Sequence, residues 1–436
     1  MTISHKLEKI PDLLAVHALK PDTYPYLLAS NTRGGQNSRY SLLLSCPQES
    51  VYQYAGDEDC LASIDVDLTN IRQHSDHPFC GGWFVFLAYE YAQTIEPQVK
   101  YFTDETILPV AFKTRIPAVI VVDHEDESAH IVVEDEFQHL ESQILEDVSG
   151  AGGYVSGDLI TGNIEEDNPD IYLDHITRTK RYIRDGDIFQ ANLSRNWTVS
   201  YQQDCDPVAL YHNLTRSNPA QFAALIKHRD QYIISSSPER LISVKQGIAQ
   251  SRPIAGTHPR GKTAEEDIEL SKHLLAHPKE KAEHVMLIDL VRNDLGRFCE
   301  PGSIAVTEKM VLESYEHVHH IVSNIEGRIR PGQTVADIVH AVFPGGTITG
   351  CPKVRCMEII SELEQAPRGP YTGSLGYIGL DGRMDLNILI RTLLYDRNTV
   401  SFRAGGGIVH DSVPGRELME TRHKAQGLLN AINLHA

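Results

Sequence analysis

Apolar and polar residues alternate along much of the first third of the chain, and this period of two is typical of strands with one buried face. A helical period appears over residues 136–148. Glycines are frequent over 149–165, which favours an irregular linker. We therefore expect an N-terminal subregion of the fold over 1–148, a linker over 149–165 and a further region over 166–436. The strands predicted before the linker are 26–30, 39–46, 82–88, 116–123 and 130–134.

The rest of the chain mixes both periods. Apolar residues that recur every three to four positions predict helices over 169–185, 264–277, 279–294 and 353–363, and a last helix with Pro414 in its first turn. Strands are predicted at 188–194, 221–227, 231–235, 241–244, 303–312, 319–329, 374–380, 386–395 and 399–404. Runs of strands interleaved with long helices, without a strict strand–helix–strand repeat, predict an α+β fold of layered antiparallel sheets flanked by helices.

Charge and cysteine content narrow the class of protein. The 40 Lys and Arg residues against 59 Asp and Glu residues give a net charge of −19, which argues against nucleic acid or an anionic membrane as the main partner. The seven cysteines are odd in number and form no C-x-x-C pair, so they suggest neither a disulfide framework nor a zinc site. Because neither a signal peptide nor an apolar run of about 20 residues is found, we expect a soluble cytoplasmic protein.

The most informative stretch is the predicted strand that ends in glycines at 405–407, together with the helix after it. Glycines allow a ligand to approach the backbone and its N–H groups directly. On the helix, Glu417, Glu420 and Lys424 recur at i, i+3 and i+7, so they share one face. That face can hold a hard cation and an anionic ligand, although a solvated surface is the commoner role of such residues.

A second acidic pair, Glu280 and Glu283, has the same i, i+3 spacing on another predicted helix. Two helices that each offer two carboxylates suit Mg²⁺, which binds a few carboxylate oxygens and retains water. Zinc would need convergent Cys or His side chains. The spacing along the chain leaves open whether the two helices meet.

Two further residues are candidates for a site that handles an anion. Glu239 can act as a general acid, although a salt bridge is the commoner role of a glutamate beside an arginine. Arg391 lies alone in an apolar run, where an arginine either binds a carboxylate with two hydrogen bonds or extends from a sheet edge into solvent.

Several motifs appear along the chain in a characteristic order. They are 237–240 around Glu239, 253–257, 291–297, 320–323, 346–353, 404–408 and 420–424. By these motifs the chain resembles the chorismate-utilising enzymes, which include anthranilate, aminodeoxychorismate, isochorismate and salicylate synthases. The resemblance is strong from about residue 169 onward and implies that 166–436 is the chorismate-binding catalytic region.

The resemblance implies a role for each candidate residue. Mg²⁺ would be held against the ring carboxylate of chorismate by Glu280, Glu283, Glu417 and Glu420. The ring carboxylate would be bound by Thr257, Gly407 and Lys424, and the enolpyruvyl carboxylate by Tyr371, Arg391 and Gly405. His320 would lie beside the ring, and Glu239 would protonate the departing hydroxyl group.

Two positions bear on which reaction is catalysed. Relatives that use water carry a lysine at the position of Gln190, and a neutral glutamine cannot deprotonate water, which favours ammonia as the nucleophile. Many aminodeoxychorismate synthases carry a lysine at the position of Ala255, whereas anthranilate synthases carry alanine. Because Gln190 to Leu193, residues 81–83 and residues 343–350 look like aminodeoxychorismate synthase component I, we expect 4-amino-4-deoxychorismate, on the folate route through 4-aminobenzoate. The alternatives are anthranilate formation and, least favoured, a non-catalytic chorismate-binding protein.

The resemblance also bears on partners and regulation. None of the cysteines lies in a G-x-C-x-G turn, so we expect a separate glutamine amidotransferase subunit to supply ammonia. Residues 27–30 and 39–41 resemble the segment that holds tryptophan in anthranilate synthases, which makes Ser30 a regulatory candidate. The family's glutamate before this serine is Ala29 here, and we therefore favour an ordinary sheet edge at this place.

Overall fold

The computed structural model describes residues 2–32, 38–69, 76–104, 108–157, 162–202, 205–261, 263–314 and 318–433. The architecture is α+β, with two large antiparallel sheets packed face to face and helices on their outer faces. The expected fold class is therefore confirmed. No helix in the described ranges is both long and apolar enough to cross a membrane.

The described elements are numbered in chain order. The strands are β1 (Thr2–Lys6), β2 (Tyr26–Ala29), β3 (Tyr40–Ser45), β4 (Ser50–Gln53), β5 (Gly82–Leu87), β6 (Ala111–Ile116), β7 (Ala118–Asp123), β8 (Ser128–Glu134), β9 (Asn163–Glu166), β10 (Gln190–Ser200), β11 (Phe222–His228), β12 (Gln231–Ser237), β13 (Arg240–Lys245), β14 (Ile248–Ser251), β15 (Ile254–Pro259), β16 (Ala305–Ser314), β17 (Val318–Arg328), β18 (Gly350–Cys351), β19 (Ser374–Gly379), β20 (Met384–Asn387), β21 (Thr392–Asp396) and β22 (Thr399–Ile408). The helices are α1 (Leu13–Leu19), α2 (Ala92–Ile95), α3 (Leu140–Ala151), α4 (Pro169–Asp185), α5 (Pro207–Ser217), α6 (Ala264–Ala276), α7 (Pro278–Gly296), α8 (Val335–Val342), α9 (Lys353–Glu364) and α10 (Pro414–Asn433).

Each sheet mixes strands from both ends of the chain. The first sheet has the order β1-β8-β7-β3-β2-β11-β12-β21-β22-β10-β18, and β9 also pairs with β10. The second has the order β15-β17-β14-β13-β20-β19-β5-β6-β4, and β16 also pairs with β17. Because β2 pairs with β11 and β5 with β19, the predicted linker at 149–165 separates segments of the chain and not separate sheets.

Three of the four buried apolar clusters among the described residues define the layers. Between the sheets, Leu44 and Val121 of the first sheet pack with Phe84, Phe86 and Phe112 of the second. The outer face of the first sheet is covered mainly by α5 and α10, and the outer face of the second by α7 and α8. Burial of apolar area in all three layers is the main force that holds the sheets in register with the helices.

Several helices follow the sequence pattern closely. Helix α4 begins at Pro169 and ends at Asp185, as predicted, because Asn168 accepts a hydrogen bond from the N–H of Asp170 and Gly186 adopts a left-handed φ of 87°. Helices α6, α7 and α9 lie within a few residues of their predicted ranges.

Other expectations were wrong in detail. The strand predicted over 386–395 is two strands, β20 and β21, because residues 388–391 leave the sheet and Arg391 has a φ of +52°. Helix α3 begins at Leu140 and extends to Ala151, past the predicted start of the linker. Within that linker, β9 pairs with β10. The motif segment 253–257 belongs largely to β15, a strand that was not predicted and that carries a bulge opposite His320.

Four of the described helices were missed, namely α1, α2, α5 and α8. They span only four to eleven residues, so few periods are available for recognition. Capping signals were nevertheless present. Asp206 caps α5, which starts with Pro207, and Thr334 forms a capping box with Asp337 at the start of α8.

Candidate active site

The glycines of β22 lie against β10, with Asn192 opposite Gly407. A Cβ atom on Gly405 would lie 2.8 Å from the Tyr371 hydroxyl oxygen, and one on Gly407 would lie 2.3 Å from Nε2 of Gln190. The backbone carbonyl oxygen of Leu193, 2.2 Å from the Cβ position of Gly405, leaves no room for a side chain there, whereas at Gly407 the limit is the end of the Gln190 side chain. Tyr371 and Gln190 therefore both lie on the same face of the glycine strand.

The opposite face of that strand meets α10. A Cβ atom on Gly406 would lie 3.5 Å from Oε1 of Glu420 and 3.9 Å from Oε2 of Glu417. Lys424 forms an ion pair of 2.8 Å with Glu420 and donates a hydrogen bond of 2.9 Å to the carbonyl oxygen of Gly405. The three residues that share a helix face in the sequence thus converge on one short piece of glycine backbone.

Glu239 lies between β12 and β13, and its side chain is buried. Its Oε1 accepts a hydrogen bond of 2.8 Å from the hydroxyl group of Thr347, which belongs to the short turn before β18. Burial raises the pKa of Glu239 to about 7, although the Thr347 hydrogen bond acts in the opposite direction. The group can therefore carry a proton near neutral pH, as a general acid must.

Arg391 and His320 form the next part of the site. Arg391 is partly buried, which lowers its pKa, and in the described part of the chain it pairs with no carboxylate. Burial, together with the charge of Arg391, lowers the pKa of His320 to about 4, while a hydrogen bond with the backbone of Gly256 raises it. His320 is thus neutral at physiological pH. The guanidinium beside it is suited to binding an anion.

The second acidic pair lies near Gly256, which has a φ of +67°. A Cβ atom on this residue would lie 2.9 Å from Oε2 of Glu280. Thr257 is paired with His320 across β15 and β17, but its side chain is outside the described part of the structure. Ala255 is buried, and Glu283 lies one turn after Glu280 on α7.

The acidic side chains of the site are donors of the kind that Mg²⁺ binds. Glu417 and Glu420 direct carboxylate oxygens to the same side of Gly406, and Glu280 directs one to Gly256. All are hard oxygen donors of the kind Mg²⁺ binds, so the donor chemistry fits. Among the described residues, no three His, Cys, Asp or Glu side chains form a group that could hold a metal ion. The convergence of the two acidic pairs therefore stays a prediction.

The irregular segment 388–391 joins these parts. The N–H of Ile388 donates to the Glu239 carbonyl oxygen at 3.0 Å, and the N–H of Thr372 donates to the Leu389 carbonyl oxygen at 2.7 Å. The Arg391 carbonyl oxygen accepts from the N–H of Ser236 at 3.1 Å. The break between β20 and β21 thus connects Glu239, Arg391 and the turn that carries Tyr371.

Gln190 and Tyr371 are both buried. The amide oxygen of Gln190 has no hydrogen-bond partner among the described residues, and its backbone carbonyl accepts from the thiol of Cys356 at 3.0 Å. Burial raises the pKa of Tyr371 to about 12, so its hydroxyl group is a hydrogen-bond donor at neutral pH. An unsatisfied buried amide oxygen is costly, and a bound ligand with an N–H group would satisfy it.

Sequence reasoning gave no role to Thr347, the hydrogen-bond partner of Glu239. It lies in the motif 346–353, which served only to support the resemblance. The sequence could not reveal this hydrogen bond, because Thr347 and Glu239 lie 108 positions apart along the chain.

The region around Ser30 differs from the expectation. Strand β2 pairs with both β3 and β11, so it is not a sheet edge, and that expectation was wrong. A cavity of about 410 Å³ between the sheets has Ala29, Arg39 and Tyr40 in its wall. The hydroxyl group of Ser30 is buried without a hydrogen-bond partner in the described structure. A cavity of this size can hold a small molecule.

Comparisons with known proteins show the family to which the chain belongs. The family model described as chorismate binding enzyme matches residues 25–430. An anthranilate synthase component I-like protein of Synechocystis sp. is 39% identical over 416 residues, covering 94% of this chain and 84% of the relative. Aminodeoxychorismate synthase component 1 of Bacillus subtilis is 40% identical over 378 residues, covering 84% of this chain and 80% of the relative. The structure of anthranilate synthase component I from Streptococcus pneumoniae superposes with a TM-score of 0.80 at 32% identity, covering 91% of this chain and 93% of that chain.

Proposed function

The chain belongs to the family of chorismate-binding enzymes, and we propose that it catalyses the magnesium-dependent amination of chorismate with ammonia to 4-amino-4-deoxychorismate. The observation that carries the proposal is the pair formed by Glu239 and Thr347. A buried carboxyl group with a pKa of about 7 can donate a proton to a departing hydroxyl group, which leaves as water.

The substrate is a dicarboxylic acid, and the charges near the site support its binding. Arg391 has no carboxylate partner among the described residues, and Tyr371 offers a neutral hydroxyl donor. We assign the enolpyruvyl carboxylate to these two residues and the backbone of Gly405. The ring carboxylate is assigned to Thr257, Gly407 and Lys424, with His320 beside the ring.

Mg²⁺ would be held by Glu280, Glu283, Glu417 and Glu420, and when bound it supplies Lewis-acid stabilisation of charge at the ring carboxylate. Lys424 adds a positive charge on the face of α10 that carries Glu417 and Glu420. Its ion pair with Glu420 holds its ammonium group near Gly405. The assignment of these four glutamates rests on the donor chemistry and on the family resemblance.

Ammonia as the nucleophile is supported by Gln190. Its buried amide oxygen lacks a partner in the described structure and can accept a hydrogen bond from an N–H group, but an amide cannot remove a proton from water. In the overall exchange the carbon–oxygen bond to the hydroxyl group breaks, a carbon–nitrogen bond forms, and the ammonium-like product loses one proton. The relatives are named as component 1 of their enzymes, which supports a separate glutamine amidotransferase subunit as the ammonia source.

One observation favours a second candidate, anthranilate synthase component I. Residue 255 is a buried alanine, so this position offers no amine that could form a covalent intermediate on the ring. If the present chain makes 4-amino-4-deoxychorismate, ammonia must add without that step. A non-catalytic binding protein is less favoured because Glu239 and all four proposed metal ligands are present.

The product decides between the candidates. The protein is incubated with chorismate, Mg²⁺ and ammonium, and the products are identified by mass, with Glu239→Gln as the inactive control. We expect a product that retains the enolpyruvyl group. Formation of anthranilate and pyruvate would contradict the proposal in favour of the second candidate, and absence of any turnover in the wild type would favour a binding role.

A further inference from the structure

Strand β10 carries Gln190, and within the described residues no strand pairs with the middle of its outer edge. There, β18 pairs with residues 190 and 191 of β10, and β9 pairs with residues 197 to 200. Between them, the outward N–H groups of Asn192, Ser194 and Asn196 donate to non-strand acceptors. These are the Thr349 carbonyl oxygen at 2.8 Å, the Glu364 carboxylate at 2.8 Å and the Asp167 carboxylate at 2.7 Å.

Glu364 makes the most contacts among the groups that support the outer edge of β10. It is the last residue of α9, and its side chain is 2% exposed. One carboxylate oxygen accepts from both the N–H and the hydroxyl group of Ser194, at 2.8 and 3.0 Å. The carboxylate also forms ion pairs with Arg368 at 2.7 Å and Arg403 at 3.0 Å.

The two arginines extend the support along β10, which pairs with the glycine strand β22. Arg368 donates to the carbonyl oxygen of Asn192 at 2.7 Å, and Arg403 donates to the hydroxyl group of Ser194 at 2.9 Å. Burial would raise the pKa of Glu364, but the two arginines together lower it to about 2, so the carboxylate is ionised. One carboxylate thus balances part of the charge of two buried guanidinium groups.

Arg368 also contacts Tyr371. The N–H of Tyr371 donates to the Arg368 carbonyl oxygen at 3.1 Å, and the Arg368 guanidinium lies 5.6 Å from the centre of the Tyr371 ring. On the other side, Glu90 accepts from the N–H of Arg368 at 2.7 Å. The turn that carries Tyr371 is therefore held by Glu364 through Arg368, and Ser194, opposite Gly405, is held by the same carboxylate.

We infer that Glu364 is a positioning residue, whose carboxylate sets the distance between the Tyr371 hydroxyl group and the backbone of Gly405 by holding Arg368 and Ser194 at once. The inference rests on the proposed function, in which Tyr371 and Gly405 bind the enolpyruvyl carboxylate. Glu364 lies behind these groups and acts through them. Small displacements of binding groups have large effects on catalysis, since a shift of about 1 Å can cost about 100-fold in rate.

The test compares Glu364→Gln with Glu362→Gln, a matched variant two residues earlier on α9 whose side chain is exposed and pairs with Arg178. For each variant, the KM for chorismate is measured together with the inhibition constant of benzoate, which has a ring carboxylate but no enolpyruvyl carboxylate. We expect Glu364→Gln to raise the KM for chorismate about tenfold and to leave benzoate inhibition unchanged. Glu362→Gln should alter neither value.

A general loss of structure would act on both ligands. Equal weakening of chorismate and benzoate, or no change in either, would therefore overturn the inference. If Glu364→Gln does not fold, the double variant Glu364→Gln/Arg403→Met is measured in its place, because it removes one of the two cations that Glu364 balances. It should also raise the KM for chorismate and leave benzoate inhibition unchanged. Equal weakening of both ligands, or no change in either, would again overturn the inference.

Tyr371→Phe separates this inference from the proposed function. It should raise the KM for chorismate without affecting benzoate. If it does so and Glu364→Gln behaves like Glu362→Gln, the positioning role alone fails. If Tyr371→Phe leaves the KM for chorismate unchanged, the proposed carboxylate site fails, and the positioning role fails with it.

Discussion

The hydroxyl group of Thr347 donates a hydrogen bond of 2.8 Å to the carboxylate of Glu239. A hydroxyl donor stabilises the ionised form of a carboxylate, whereas burial destabilises it. Burial is the larger of the two effects, and the pKa of Glu239 is raised to about 7. Thr347 thus sets how far the pKa rises and the pH range in which Glu239 can donate a proton.

The first prediction concerns the pH dependence of turnover. A general acid must be protonated, so kcat should fall as the pH rises through about 7, the pKa of Glu239. Thr347→Val removes the hydrogen bond that favours the ionised form, and the falling limb should move to higher pH by about one unit, since such a bond contributes about 1.5 kcal/mol. The measurement is kcat at saturating chorismate and ammonium at each pH.

Glu90 provides the control, because burial raises its pKa to about 7 as well. Its carboxylate accepts from the backbone of Arg368 and Gly369 and has no assigned proton transfer. Glu90→Gln should therefore keep the falling limb where it is. If the falling limb disappears in Glu90→Gln and does not move in Thr347→Val, the general acid is Glu90 and the assignment to Glu239 is wrong.

Glu239 also predicts a change in stability with pH. Its pKa rises from 4.5 to about 7 on folding, so the folded protein holds this proton more tightly than the unfolded chain does. The resulting stabilisation is complete below pH 4.5 and is lost as the pH rises through about 7. The melting temperature of the wild type relative to Glu239→Gln should accordingly decrease between these two pH values. A constant difference would show that the pKa is not raised.

A third prediction concerns Mg²⁺. Glu420→Gln should abolish magnesium-dependent turnover and the heat of Mg²⁺ binding measured by calorimetry, because a neutral amide replaces a carboxylate donor. The side chain is about half exposed, and its ion pair with Lys424 contributes less than about 1 kcal/mol, so the melting temperature should change little. Glu362→Gln is the matched control. Unchanged Mg²⁺ binding in Glu420→Gln would place the metal elsewhere.

A fourth prediction contrasts two arginines. Arg391→Met should raise the KM for chorismate by about 10- to 100-fold, since a hydrogen bond to a charged group contributes about 1.5–3 kcal/mol. It should also raise the melting temperature, because Arg391 is partly buried without a carboxylate partner in the described structure.

Arg403→Met is the comparison, since Arg403 is paired with Glu364. It should lower the free energy of unfolding by about 3 kcal/mol, because it leaves part of a buried charge network unbalanced. Thermal and urea unfolding measure both effects. A drop in the stability of Arg391→Met as large as that of Arg403→Met would mean that Arg391 has a structural role.

The fifth prediction concerns the cavity near Ser30. We expect no micromolar binding of tryptophan by calorimetry. Ala29 offers no carboxylate for its ammonium group, and Arg39, which could bind its carboxylate, already pairs with Asp123 at 2.8 Å. The arginines at 240 and 383 that line the same cavity pair with Asp385 and Asp381. Micromolar heat on titration with tryptophan would contradict this and would restore the regulatory role of Ser30.

Local patterns predicted much of the fold and part of the site. The period of α4 and its proline and glycine boundaries fixed both of its ends, and the i, i+3, i+7 spacing correctly placed Glu417, Glu420 and Lys424 on one helix face. Such predictions succeed because the interacting groups lie within a few residues, where chain geometry alone determines which side chains share a face. The family motifs suggested roles for the site residues, but they did not show which of these residues contact one another.

Contacts between distant residues were decided by the tertiary structure alone. The sequence by itself determined an α+β chain with acidic helix faces, a glycine-rich strand and a set of motifs in a recognisable order. It did not reveal that residues 388–391 leave the sheet, that Thr347 bonds to Glu239, or that Glu364 holds Ser194 from 170 positions away. Those relationships depend on how two sheets and their helices pack, and packing between distant segments leaves no period in the sequence.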